Sequence, residues 1–110
     1  MVAVKVTLTF SATGISISVD QEPVNLAASG DHDVEWTLDD TSYGLGWTFA
    51  SHGIDIKAPA TVFKNKKGSG NGKKHGWKSL TFDGARYRYT INLENLDTGA
   101  QLIWDPTIMN

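Results

Sequence analysis

A chain of 110 residues has room for one domain with a real core and not for two. It contains no cysteine, which excludes disulfides, thiolate metal sites, blue-copper ligation and cysteine nucleophiles, and no stretch approaches the ~20 apolar residues of a membrane helix. The net charge of −2 conceals an asymmetry: residues 1–56 hold eight acids against Lys5 alone, whereas residues 57–110 hold nine Lys or Arg against four acids. Halves lying on different sides would make a dipole, and strands interleaved from both halves would cancel it.

Val2, Val4, Val6, Leu8 and Phe10 alternate with Ala3, Lys5, Thr7 and Thr9, the period of a half-buried strand. The N-terminus lacks the apolar run and cleavage site of a secretory signal, so the expected location is cytoplasmic. Ser11 to Gly14 turns the chain, and Ile15, Ile17 and Val19 alternate with Ser16 and Ser18, so residues 2–19 are expected to form a hairpin. Pro23 ends it, because proline cannot donate to a ladder. Val24-Asn25-Leu26 suits a short edge segment, and residues 27–33 a polar connection. Val34, Trp36 and Leu38, the polar run Asp39 to Gly44, and Leu45, Trp47 and Phe49 predict an antiparallel pair with both indoles at the centre of the core.

Ile54-Asp55-Ile56 alternates again, and Pro59 separates it from Thr61-Val62-Phe63. Residues 64–76 contain four glycines, five lysines, two asparagines and no apolar residue, a composition that predicts a flexible loop. Trp77, Ser79 and Thr81 alternate with Lys78, Leu80 and Phe82 up to Asp83-Gly84, which predicts a type I′ hairpin. Its return strand carries Tyr87, Tyr89, Ile91 and Leu93 on one face and Arg86, Arg88, Thr90 and Asn92 on the other. After a turn at Asp97-Thr98-Gly99, Leu102-Ile103-Trp104 forms the last strand. Eight or nine short strands without a helical period predict a single all-β domain, an antiparallel β-sandwich of immunoglobulin-like or cupredoxin-like type with no cofactor.

Two acid-proline pairs stand at mirrored places, Glu22-Pro23-Val24-Asn25 after the first hairpin and Asp105-Pro106-Thr107-Ile108-Met109-Asn110 at the other end. On these dipeptides, their positions and the Ile-x-Asn ending, the chain resembles the DP-EP family of small bacterial proteins. The resemblance implies a β-sandwich and supplies no activity. Read from the residues, each proline ends ladder pairing while the neighbouring carboxylate accepts backbone N–H groups. A sharper reading makes Glu22 and Asp105 a convergent metal or acid-base pair.

No catalytic signature such as Gly-x-Ser-x-Gly occurs, and the Gly68 to Lys73 segment lacks the spacing and context of a phosphate loop. The leading expectation is a non-enzymatic binding or assembly module. Its contact surface would be Lys64, Lys66, Lys67, Lys73, Lys74 and Lys78, with His75 and Trp77 stacking at the base, and its partner a polyanion or acidic protein surface. Self-association is a further expectation, with Arg86 and Arg88 as a face for an acidic partner or a second copy. The alternatives are a metal module using Asp31, His32 and Asp33, a carbohydrate module using Tyr43 and Trp77, and a small hydrolase without a recognisable motif.

Overall fold

The computed structural model describes all 110 residues. In chain order the elements are β1 (Val2–Ser11), β2 (Gly14–Val19), β3 (Val24–Asn25), α1 (Leu26–Ser29), β4 (Asp33–Leu38), α2 (Asp40–Gly44) and β5 (Trp47–Ile56). They continue with β6 (Phe63–Ser69), a 3-10 turn at Gly70–Gly72, β7 (Lys74–Ser79), β8 (Arg86–Asn95), β9 (Gln101–Trp104) and β10 (Thr107–Met109). The strands form an all-β sandwich of two sheets. One runs β2-β1-β4-β7-β6; the other runs β3-β10-β8-β5, with β9 also paired to β8.

The period-two pattern decides what the sandwich buries. Val4, Val6 and Leu8 of β1, Val34, Trp36 and Leu38 of β4, and Tyr89, Ile91 and Leu93 of β8 all face inward and join one core cluster. Trp36 lies at its centre, fully buried, 5.1 Å from the Tyr89 ring and donating from its indole N–H to the Tyr89 hydroxyl at 3.2 Å. That bond satisfies the one polar atom an indole brings inside. Trp47 is buried as expected, in the opposite sheet.

The predicted pair of residues 34–38 and 45–49 does not form. Both edges of β4 are occupied, by β1 in parallel and β7 in antiparallel pairing, so the next strand has no edge to join in that sheet. Residues 40–44 instead make the helical turn α2, which carries the chain across to β5 in the other sheet. Ser42 is buried there, donating to the Asp39 carboxylate and accepting the Leu8 N–H at 3.3 Å.

The Asp83-Gly84 hairpin fails for a related reason. A type I′ turn needs positive φ at both central residues, and only Gly84 adopts it, at 71°. β7 and β8 belong to different sheets, and the Asp83 carboxylate pins the corner between them by accepting from the Tyr87 hydroxyl, the Ala85 N–H at 3.1 Å and the Asn110 amide at 2.9 Å. These bonds, the Tyr87 contact foremost, hold the Asp83 carboxyl below its ordinary range and push the Tyr87 hydroxyl up.

Ten strands replace the expected eight or nine, because β6 lies inside the stretch read as a loop and β10 follows Pro106. Most pairings are antiparallel, as the sequence suggested, and two, β1 with β4 and β3 with β10, are parallel. Alternation along one strand reports its faces and carries no information on the direction of its neighbour. No helix is long and apolar enough to cross a membrane.

Candidate functional site: the lysine face of the first sheet

The predicted loop of residues 64–76 is a hairpin. β6 pairs β7 from Phe63 opposite Ser79 to Ser69 opposite Lys74, with a bulge between Asn65 and Lys67. β7 is no edge element, since it also pairs β4. The composition hides an alternation in which His75, Trp77 and Ser79 are buried while Lys74 and Lys78 are exposed, so burial reaches the hairpin through every second residue.

His75 and Trp77 are therefore not a stacking base for bound polymer. The Trp77 indole donates to the Ile54 carbonyl of the opposite sheet at 2.9 Å, and its ring meets Phe63 edge-on at 6.5 Å. His75 is 1% exposed, with its ring edge-on to Phe49. The Asn65 side-chain oxygen accepts the Lys67 N–H at 2.7 Å, so at 2.9 Å from His75 Nε2 it accepts a second proton from the imidazole. Burial holds the His75 pKa below its ordinary value, leaving the ring neutral with Nδ1 unpartnered. Asn65 was missed in the sequence because it sits among lysines and glycines, where a polar residue attracts no notice.

The lysines divide into two groups. Lys66 pairs with Asp33 at 2.7 Å, Lys74 lies 3.9 Å from Glu35, and Lys73 pairs with Asp40 while its ammonium sits 5.6 Å from the Tyr43 ring centre. The hydrogen bonds from Lys66 and Lys73 hold the Asp33 and Asp40 carboxyls below their ordinary range. Acids from the first half of the chain thus interleave with bases from the second, which cancels much of the dipole the sequence allowed. Lys64, Lys67 and Lys78 have no carboxylate within ion-pair distance, and Lys64 stands directly opposite Lys78 in the ladder. Like charges opposite one another are unfavourable in the absence of a counter-charge. Gly76, opposite Lys67, has no side chain to fill the face beside Lys66, and a hollow of about 110 Å³ opens there, edged by Asp33, Glu35, Lys66 and Lys67.

Asp31, His32 and Asp33 do not form a metal site, because alternation and the turn send them to different partners. Asp31 binds the Met1 amino group and the Asp33 N–H, His32 Nδ1 lies 2.7 Å from the Ser79 carbonyl with its ring stacked on Phe82, and Asp33 goes to Lys66. No cluster of three or more metal-ligating side chains occurs anywhere in the chain. The carbohydrate platform is likewise dismantled, with Trp77 inside and Tyr43 beside Lys73.

The two acid-proline pairs lie side by side. β3 and β10 run parallel with Val24 opposite Ile108, and the Glu22 carboxylate accepts the Thr107 N–H at 3.1 Å and its hydroxyl at 2.5 Å. Asp105 instead accepts the Thr90 hydroxyl at 2.6 Å. Each carboxylate thus fastens a strand end, and Pro23 and Pro106 stand where no ladder donor is needed.

On the outer face of the second sheet the Ala50–Gly53 bulge of β5 opens a cleft of about 340 Å³. It is lined by Ser51, His52, Asp55, Asn92, Gln101 and Ile103. The sequence signal for it, Ser51-His52-Gly53, reads equally well as a strand break. No hydrogen bond joins Ser51, His52 and Asp55: Asp55 pairs with Lys57, and Asn92 donates to the His52 carbonyl at 2.6 Å.

In comparisons with known proteins, no family model matches the chain and no curated protein matches it.

Proposed function

We propose that the chain is a non-enzymatic binding module whose lysine face takes an anionic polymer. The observation that carries this reading is the Lys64–Lys78 pair, two unneutralised cations held opposite each other on a paired hairpin, with Lys67 beyond them and Lys66 and Lys74 only partly neutralised by neighbouring acids. A run of phosphates or carboxylates laid across this face would supply the missing counter-charge and release its own counterions. With His75 and Trp77 turned inward, the contact is charge on charge without base stacking, so sequence selectivity is expected to be low.

The resemblance to the DP-EP family is part of the same proposal, supported by the adjoining Glu22-Pro23 and Asp105-Pro106 pairs. The test is an amide NMR titration of the labelled protein with a single-stranded oligonucleotide at two salt concentrations. Shifts confined to residues 64–78 and reversed by salt are expected, and Lys64→Glu/Lys78→Glu should abolish them. Absence of shifts at low salt, or shifts centred on Ser51, His52 and Asn92, would reject the lysine face.

A further inference from the structure

The opposite edge of the same sheet is built differently. From Val6 to Val19 no residue is charged, although 20% of the chain is. β2 pairs only with β1, leaving its other edge open. The Asp20 N–H donates to the Lys5 carbonyl at 3.2 Å, which makes Lys5 and Asp20 a hydrogen-bonded pair of the ladder. The alternation of an antiparallel ladder then turns the N–H and C=O groups of Ile15, Ile17 and Val19 outward, away from β1. Nor is the far end of the hairpin supported from the other side: β4 stops opposite Val6 and Ser42 takes the Leu8 N–H, so residues 9–11 and 14–16 project beyond the core as a two-stranded ribbon. Phe10 and Ile15 face each other on it, 47% and 38% exposed. A two-stranded ribbon is marginally stable in water, and a third strand relieves it.

The occupant is specified by the edge itself. Ile15-Ser16-Ile17-Ser18-Val19 is symmetric in residue type about Ile17, with the β-branched apolar residues on one face, where Ile17 and Val19 pack against the core and Ile15 overhangs it, and serines on the other. A two-fold axis perpendicular to the sheet at Ile17 would lay this segment antiparallel on its own copy, each face continuing the same face of the other. The outward backbone groups of Ile15, Ile17 and Val19 suit the register that this symmetry proposes, Ile17 opposite Ile17 and Ile15 opposite Val19, with Ser16 opposite Ser18 in the non-hydrogen-bonded pairs. No charge meets a like charge in this arrangement. The β6 edge, with Lys64, Lys66, Lys67 and a bulge, would repel its own copy.

We infer that the β2 edge is a self-association surface at which two copies of this chain pair antiparallel about Ile17, joining their first sheets into one of ten strands. A six-residue strand pair buries less than a standard interface, so the dimer is expected to be weak and concentration-dependent. Sedimentation velocity over rising protein concentration should show a monomer–dimer equilibrium. Ser16→Lys/Ser18→Lys, whose side chains lie on the exposed face, should weaken dimerisation roughly tenfold or more, and mixing with Ser16→Glu/Ser18→Glu should restore a heterodimer.

The register has its own test in this cysteine-free chain. Ser16→Cys and Ser18→Cys should each stay unlinked alone and form a disulfide-bonded heterodimer when mixed and oxidised. A wild-type protein that stays monomeric to about millimolar concentration, and so leaves the edge to a foreign strand, would overturn the inference. So would a dimer indifferent to the lysine pair whose mixed cysteine variants fail to link.

Discussion

β2 and β6 are the two edge strands of one sheet, each tied to its neighbour in a local hairpin, and they meet solvent in opposite ways. β2 alternates isoleucine with serine and offers bare backbone, while β6 carries Lys64, Lys66 and Lys67 around a bulge. Below the surface the order reverses. The lysine hairpin sends Phe63, His75 and Trp77 into the core, whereas the tip of the apolar hairpin overhangs it and leaves Phe10 and Ile15 in solvent. The average polarity of a segment thus gives little guide to how deeply it is anchored. What counts is whether every second residue has a partner in the opposite sheet.

The largest effect expected from this contrast comes from removing one anchor on each side. Trp77→Ala deletes a buried ring and leaves the Ile54 carbonyl without its donor, and should lower stability by about 3–5 kcal/mol in chemical denaturation. Phe10→Ser, in what reads from sequence as the cleaner strand, should change it by no more than about 0.5 kcal/mol in dilute, monomeric protein. Equal losses would break the comparison.

A pH series separates the hairpins next. Burial holds the His75 pKa below the ordinary 6.5, so between those two values the unfolded chain takes up a proton that the folded chain refuses. The stability from neutral His75 is fully present above pH 6.5 and is lost as the pH falls toward the folded pKa. The wild-type Tm should therefore decline on acidification through this window, and His75→Gln should flatten the decline. Asp33, Asp40 and Asp83, with pKa values lowered from 3.8, lose their contributions only at more acid pH. A slope unchanged by His75→Gln would mean that the ring is not held neutral by the hairpin.

The smallest effect concerns the surface. Lys64→Glu turns the like-charge pair with Lys78 into an attractive one and should raise Tm by on the order of 1 °C at low salt, an increase that vanishes at high salt. The same change should weaken polyanion binding, so stability and binding would move in opposite directions, as expected where a charged face is kept for a partner.

Much of the architecture was already written in the chain. The alternation of Val2 to Phe10 and of Ile15 to Val19 specified a hairpin that forms with a two-residue connection, because both strands and their turn are local. The all-β class and the burial of Trp36, Trp47, Tyr89 and Ile91 followed from the same period. Partner choice did not. That β4 would take β1 in parallel and β7 on its other edge, and so expel β5 to the second sheet, depends on which edges remain free once other strands are placed, information that no local window contains.

The candidate site divides along the same line. The lysines as a cluster were evident from their spacing in sequence. Which of them meet Asp33, Glu35 and Asp40 was settled only when β4 and α2 came alongside, since the pairing residues are more than thirty positions apart. His75 and Trp77, adjoining lysines in sequence, were assigned to the core by the strand's two-residue period acting against an opposite sheet. Residue order alone set which side chains could share a face; the packing of one sheet on the other chose which face met water, because burial is a property of two surfaces brought together.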